Sequence, residues 1–228
     1  MRRELPLLPL HTVLFPGAKL PLQIFEQRFV QLVTASIEDD RRLGVVLTRQ
    51  RREGGGLAEP YAVGTIARIV HWDQAPDGHL TLMVQGEQRF RIVEIVQHDP
   101  FCVAQVEVLP NRFGALSPDL TRIANHLAAL LYRYIELKTV AEQMSSADMM
   151  LPTDLTALGF RVGALLDVPL HEKQQLLETD DVTELLRSEV TILQREVRRL
   201  QRTAFWNEFL RTARARARAV PPEWAVWN

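Results

Sequence analysis

The hydrophobic pattern changes character about halfway along the chain. Before about residue 110, short apolar runs such as Leu43–Thr48 and Phe101–Leu109 are separated by prolines, glycines and charged loops. After about residue 116, apolar residues recur every three or four positions, which is the spacing of a buried helical face. The pattern therefore predicts an α+β chain in which strands come first and helices follow.

Prolines interrupt the apolar stretch that covers the first thirty residues. Pro6, Pro9 and Pro21 each remove a backbone donor and fix one backbone angle, so we expect short, edge-like strands here. Pro16-Gly17 predicts a rigid turn between them. From Glu26 the apolar residues cluster on one side of a helix.

A hairpin is predicted in the middle of the β-rich half. Tyr61–Trp72 and Leu80–Val84 flank Pro76-Asp77-Gly78, and glycine accepts the positive backbone angle that such a turn needs. Several short, mostly antiparallel strands with one crossing helix fit a small closed or half-closed barrel.

The second half contains clear helix starts and breaks. Capping residues and prolines predict starts at Ser117-Pro118-Asp119 and at Pro152-Thr153-Asp154, a break at Val168-Pro169, and a long helix from about Asp181. Pro110, Asn111 and Gly114 indicate a linker. We therefore expect two domains, a β domain over residues 1–113 and a helical domain over residues 114–228.

The long terminal helix has an apolar seam. Its members are Leu186, Val190, Leu193, Val197, Leu200 and Ala204. One interpretation is that this seam packs on the chain's own bundle; the other is that the far end docks on a second copy or another protein. The candidate interface residues for the second interpretation are Leu200, Phe205, Trp206 and Phe209.

Composition sets broad limits on function. Of the 228 residues 46% are hydrophobic and 24% are charged, with a formal net charge of −1, which is typical of a globular protein. A near-neutral chain argues against nucleic acid as the main partner. The single cysteine, Cys102, cannot form an internal disulfide, and no apolar run approaches the ~20 residues of a membrane span. We therefore expect a cytoplasmic location and no membrane contact.

Catalytic chemistry finds little support in the sequence. None of the three lysines follows a glycine, so no phosphate-binding loop is present, and Gly54-Gly55-Gly56 is interpreted as a loop tip. Cys102 lies within a predicted strand and is expected to be a packed, unreactive thiol. The histidines lack metal-ligand spacing. We predict no enzymatic activity, no cofactor and no metal.

Several motifs occur in an order that resembles a known family. They are Leu5-Pro6-Leu7, Phe15-Pro16-Gly17, Pro21-Leu22-Gln23-Ile24-Phe25-Glu26, Val63-Gly64-Thr65-Ile66-Ala67, Gly86-Glu87-Gln88-Arg89-Phe90, and Glu172-Lys173-Gln174-Gln175-Leu176-Leu177-Glu178. Together they resemble the N-terminal domain of Lon-type ATP-dependent proteases, and especially the small stand-alone proteins that consist of that domain. Gln27 and Phe29 replace the family's usual proline and tyrosine.

The resemblance implies a fold and a role. It implies a PUA-like β pseudo-barrel followed by a helical bundle with a long terminal helix. It also implies recognition of unfolded or damaged polypeptides in protein quality control, with a separate protease as a further partner. The ATPase module and the Ser-Lys dyad of the full-length proteases lie beyond this domain. Most motif residues are expected to form the fold: Phe25 and Phe29 in the core, and Arg89 paired with Glu87.

Contact residues are harder to predict than the fold. Tyr61, Trp72 and Phe113 are aromatic residues near predicted loops, and they are the candidate polypeptide contacts. The alternative from another class is RNA binding, because PUA-like folds also occur in RNA-modifying proteins. The arginines of the C-terminal segment could serve that alternative or could complement the negative end of a helix.

Overall fold

The computed structural model describes residues 2–49, 59–76, 78–110, 118–142 and 151–218, with side chains described except at 139–142 and 207–218. It confirms the α+β fold class. In chain order the elements are β1 (Arg2–Leu10), β2 (Lys19–Ile24), α1 (Gln27–Glu38), β3 (Arg42–Leu47), β4 (Val63–Gln74), β5 (Leu80–Gln97), β6 (Val103–Val108), α2 (Pro118–Glu142), α3 (Leu155–Leu165), α4 (Leu170–Glu178) and α5 (Val182–Arg218).

The strands form a closed barrel with one strand added at its side. The order of the sheet is β2-β5-β4-β3-β1-β6, and a further pairing between β5 and β6 closes the ring. The long strand β5 makes closure possible, because its first half pairs with β2 and its second half with β6. Among the described strands, β2 therefore pairs with β5 alone.

β1 differs from the expected short edge strands. It runs unbroken through Pro6 and Pro9, but residues 2–6 pair with β6 and residues 7–10 pair with β3. Each proline is thus paired with a neighbouring strand on one side only, so its missing N–H costs the sheet no hydrogen bond. Although β1 lies inside the sheet, each proline occupies a position that is locally like an edge strand.

Helix α1 crosses one face of the barrel. Its Leu32 and Val33 are fully buried against Leu43, Leu82 and Val84 of the strands. Phe29 packs partly against the same cluster. The expectation that Phe25 is a core residue is wrong: its side chain is 59% exposed, and its ring meets the His79 ring in a T-shaped arrangement, 4.5 Å between centroids. Phe25 falls between the end of β2 and the start of α1, where none of the described elements covers it.

The helices of the second half begin where their capping residues predict. The Asp154 side chain accepts a hydrogen bond from the Ala157 N–H at the start of α3, 2.7 Å. Asp181 does the same for the Glu184 N–H at the start of α5, 2.9 Å. These bonds satisfy backbone donors that have no partner within the helix. α5 packs against α2, α3 and α4 through Leu185, Leu186, Leu193 and Val197.

The barrel and the helices share a core. Phe15, from the turn between β1 and β2, is fully buried among residues of the helices. A Cβ atom at Gly163 of α3 would stand 2.7 Å from the Phe15 ring, so only glycine allows this approach. The predicted turn is present, with Gly17 at φ +80° and the Ala18 N–H bonded to the Phe15 carbonyl. The turn therefore places an aromatic anchor in the helical half.

A buried arginine joins the two halves a second time. Arg89 of β5 is 1% exposed and donates to the carbonyls of Leu177, 2.8 Å, and Thr179, 2.7 Å, at the end of α4. Its guanidinium also approaches the Asp180 carboxylate at 3.3 Å. Burial lowers the pKa of Arg89, and the Asp180 charge opposes that effect. α4 is further attached by Gln174, whose amide donates to the Val63 carbonyl of β4.

The expected pair between Arg89 and Glu87 is wrong. Glu87 instead binds Arg42 and Arg68 on the outer surface of the barrel. The cause is a β-bulge, since Ile66 opposes Gln88 whereas Ala67 opposes Gly86, which leaves Glu87 as the extra residue. A bulge shifts the alternation of faces, so Glu87 points outward and Arg89 points inward.

Candidate functional site

An apolar cleft opens at one side of the barrel. It lies between β1, the first turn of α1, the end of β3, the segment Glu59-Pro60, and the turn that joins β5 to β6. Its volume is about 510 Å³. The side chains that line it are those of Leu7, Pro9, Arg28, Phe29, Val46, Glu59, Pro60, Ile95, His98, Asp99, Pro100, Phe101 and Cys102.

The floor and walls of the cleft come from different layers of the barrel. Leu7 and Val46 form the floor, and each is 1% exposed because its strand faces the barrel interior at that position. Phe29, Ile95 and Phe101 form walls that are only half-buried. Half-buried apolar walls over a buried apolar floor can release water when another apolar side chain enters.

The rim of the cleft carries more free negative than positive charge. Arg28 is engaged, because it pairs with Glu26 at 2.7 Å and lies 4.5 Å over the Phe29 ring. Glu59 and Asp99 are exposed, and within the described part of the chain neither carboxylate has a basic partner. A ligand with positive charge beside an apolar segment would therefore complement this rim.

Cys102 at the cleft does not have the environment of a nucleophile. Its side chain is half-buried, and burial raises the pKa of its thiol. The reactive thiolate is therefore suppressed at neutral pH. Among the described residues, no group of three histidine, cysteine or acidic side chains could hold a metal ion. The site is suited to binding by shape and burial.

The structure places two of the predicted aromatic contacts, Tyr61 and Trp72, outside the cleft and apart from each other. Tyr61 follows the cleft residue Pro60, but its ring lies under the guanidinium of Arg49 at 4.9 Å. Trp72 lies near the end of β4, in the hairpin that β4 forms with β5, and is 36% exposed. The Arg41 guanidinium lies over its ring, 5.0 Å from the ring centroid. Phe113 lies outside the described residues. Whether any of the three contacts a polypeptide stays a prediction.

Sequence reasoning missed the two aromatic walls of the cleft. Phe29 was expected in the core because it follows the apolar period of α1, and Phe101 was treated only as the start of a strand. Phe101 directly follows Asp99-Pro100, a polar-proline pair that predicts a turn. A phenylalanine at such a turn is a signal that could have identified Phe101 as a surface-facing aromatic.

The far end of α5 is a second exposed apolar surface. Among the α5 side chains that the structure describes, Leu200 is the last that packs on the core, and residues 201–206 are all exposed. Phe205 is 66% and Trp206 57% exposed, with ring centroids 6.1 Å apart. The Phe209 side chain lies outside the described residues. No helix in the described ranges is long and apolar enough to cross a membrane.

Comparison with known proteins gives a consistent result. Residues 4–195 match the family model for the substrate-binding domain of the ATP-dependent protease La (LON). Lon protease 2 of Myxococcus xanthus is 34% identical over 197 residues, and Lon protease of Anaeromyxobacter dehalogenans is 33% identical over 197 residues. Each alignment covers 84% of this chain but only 24% and 23% of the relative. The chain thus spans about a quarter of the length of these relatives.

Solved structures agree with the sequence relatives. The crystal structure of a Lon N-terminal domain protein from Xanthomonas campestris is 30% identical, with a TM-score of 0.60, and the match covers 83% of this chain and 98% of that one. The N-terminal domain of a Mycobacterium avium complex Lon protease has the same fold at 22% identity and a TM-score of 0.64, covering 84% and 98%. The family match spans both the barrel and the helices, so the chain belongs to the LON substrate-binding domain family.

Proposed function

We propose that this chain is a non-enzymatic module of cytoplasmic protein quality control that binds unfolded or damaged polypeptides. The observation that carries the proposal is the apolar cleft, with buried Leu7 and Val46 beneath half-buried Phe29, Ile95 and Phe101. Apolar side chains that are hidden in folded proteins become available in unfolded ones, so such a cleft distinguishes the two states. Membership of a substrate-binding family supports the same function.

The size of the cleft suits weak, reversible binding. Burying one leucine- or phenylalanine-sized side chain stabilises a complex by about 1.5–3 kcal/mol, and ordering an unfolded segment offsets part of this. A binder that passes its polypeptide onward must also release it. We propose that a separate protease receives the bound chain, and that Tyr61, Trp72 and Phe113 add further polypeptide contacts.

The first prediction concerns affinity for an unfolded polypeptide. Replacing Phe101 by alanine removes one wall of the cleft, and we expect binding of a labelled, reduced and carboxymethylated protein to weaken about tenfold, or ~1.4 kcal/mol. Val93→Ala is the matched control, since Val93 is an exposed residue of β5 that does not line the cleft. Fluorescence anisotropy measures both variants, and thermal melts establish that both are folded.

Parallel titrations separate this function from its rivals. A labelled single-stranded RNA is titrated under the same conditions, since arginines stacked on Tyr61 and Trp72 would also suit bases. RNA binding with a steep salt dependence, together with no polypeptide binding, would favour the RNA alternative. ATP should leave polypeptide affinity unchanged. ATP turnover or casein cleavage that a point mutation abolishes would contradict the non-enzymatic proposal.

The second prediction concerns the exposed end of α5, which we propose docks on a second copy of the chain. Phe205 and Trp206 lie beyond Leu200, the last described side chain of α5 that the bundle covers, and together present a large apolar surface. We expect Phe205→Ser/Trp206→Ser to remain folded and to lower the weight-average mass at high concentration, measured by light scattering. Arg198→Ser/Gln201→Ser is the control on the same helix. Equal masses for wild type and the aromatic variant would mean that Phe205 and Trp206 form no contact between copies.

A further inference from the structure

Charge is distributed very unevenly along this chain. Residues 195–218 contain eight arginines and two glutamates, a formal charge of +6, and because the whole chain carries −1 the remainder carries −7. The segment that follows, residues 219–228, reads Ala-Val-Pro-Pro-Glu-Trp-Ala-Val-Trp-Asn. It lies outside the described residues, and its sequence is mostly apolar, with two tryptophans and one acid, Glu223. A basic stretch thus directly precedes an apolar, aromatic segment.

The cleft is complementary to this combination. Its floor and walls are apolar, and its rim carries Glu59 and Asp99, whose carboxylates have no basic partner in the described ranges. A tryptophan fits beside Phe29 and Phe101, since aromatic pairs prefer offset or edge-on contacts. Arginines preceding such a segment would approach the two rim carboxylates. Apolar fit and charge complementarity therefore identify the same occupant.

Geometry decides whether the segment reaches the cleft of its own chain. α5 begins beside the barrel, where Asp180 approaches Arg89 at 3.3 Å. Its 37 residues carry the chain about 55 Å along the helix axis at ~1.5 Å per residue. Ten further residues span at most about 36 Å when fully extended. The segment is therefore too short to return along the helix to the start of α5, which favours the cleft of a neighbouring copy over that of the same chain.

We propose that residues 219–228 of one copy occupy the apolar cleft of another copy, with Trp224 and Trp227 as the inserted side chains. The inference rests on the proposed function of the cleft as a polypeptide site. The segment then acts as an internal competitor: self-association and polypeptide binding exclude each other at the same surface. In concentrated protein the cleft of each copy is filled by the segment of another copy, and unfolded polypeptide displaces that segment.

The first test uses a labelled synthetic peptide with the sequence of residues 213–228. We expect Glu59→Lys in the full chain to weaken peptide binding about tenfold at low salt. Glu94→Lys is the matched control, because Glu94 is an exposed acid on β5 that does not line the cleft. Equal affinities of the two variants for the peptide would overturn the proposal.

The second test changes the segment and leaves the cleft and α5 intact. In the full chain, we expect Trp224→Ser/Trp227→Ser to lower the weight-average mass of concentrated protein relative to the wild type, as measured by light scattering. It should also strengthen binding of unfolded polypeptide several-fold at protein concentrations where the wild type associates. A wild-type chain that stays monomeric up to about 1 mM overturns the proposal, as does a variant whose association and polypeptide affinity match the wild type.

The two proposals fail in different ways. If Phe101→Ala weakens binding of unfolded polypeptide but not of the peptide, the cleft binds polypeptides and only the self-occupancy is wrong. If Phe101→Ala leaves both affinities unchanged, the cleft is not a polypeptide site and the proposed function is wrong with it.

Discussion

Replacing Arg89 by methionine is expected to lower the free energy of unfolding by about 3 kcal/mol. Methionine keeps much of the buried volume but leaves the carbonyls of Leu177 and Thr179 without the donors that now reach them at 2.8 and 2.7 Å. These carbonyls lie at the interface of α4 with the barrel. Because water has little access there, carbonyls without a donor destabilise the folded state. Chemical denaturation with urea measures the difference.

Arg91→Met is the control for this experiment. Arg91 lies two residues further along β5 and is exposed, so its loss should change stability by less than about 0.5 kcal/mol. For a chain of this size, 3 kcal/mol corresponds to a fall of about 6–12 °C in the melting temperature. Similar midpoints for the two variants would mean that Arg89 contributes little to joining the halves.

A second large effect is expected at Glu189, whose carboxyl group lies in the first third of α5. Its side chain is 0% exposed, and neither carboxylate oxygen has a hydrogen-bond partner among the described residues. Burial raises the pKa of Glu189 well above its ordinary value of 4.5, and the nearby Gly163 backbone N–H opposes this only in part. The folded state therefore holds a proton that the unfolded state releases.

The sign of the pH dependence follows from this difference in proton binding. Below pH 4.5 both states are protonated and Glu189 has no effect; above it, stability falls with rising pH until the folded carboxyl group ionises. We expect Glu189→Met, which keeps the volume without the charge, to stabilise the protein by about 1–4 kcal/mol at pH 8. The advantage should shrink toward pH 4.5 in urea titrations. An advantage that is independent of pH would contradict the ionisation argument.

Local chemistry made several elements predictable. The hairpin forms around Gly78 at φ +87°, and α3 and α5 begin at the acids that cap them, because turn and cap signals depend on a few adjacent residues. The α+β order followed from the switch between strand-like and helix-like spacing. The family motifs gave the barrel and the helices together, which spacing alone could not have done.

The features that sequence reasoning missed depend on distant contacts. Glu87 and Arg89 are two residues apart and looked like a pair, but a bulge that depends on β4 sends them to opposite sides. Phe25 looked like a core residue because its neighbours are apolar, yet its side chain is 59% exposed between β2 and α1. The cleft is assembled from segments between Leu7 and Cys102, and no local pattern indicates which of them meet.

The attachment of α4 to the barrel explains why two separate motifs of the sequence occur together. Arg89 comes from the Gly-x-x-Arg-Phe segment, and its acceptors lie at the end of the segment Glu172–Glu178, whose Gln174 in turn binds the Val63 carbonyl. Neither motif has a complete set of partners without the other. Grafting this barrel onto a different protein would therefore require transplanting α4 as well, and recombining halves from two relatives would succeed only where both motifs match.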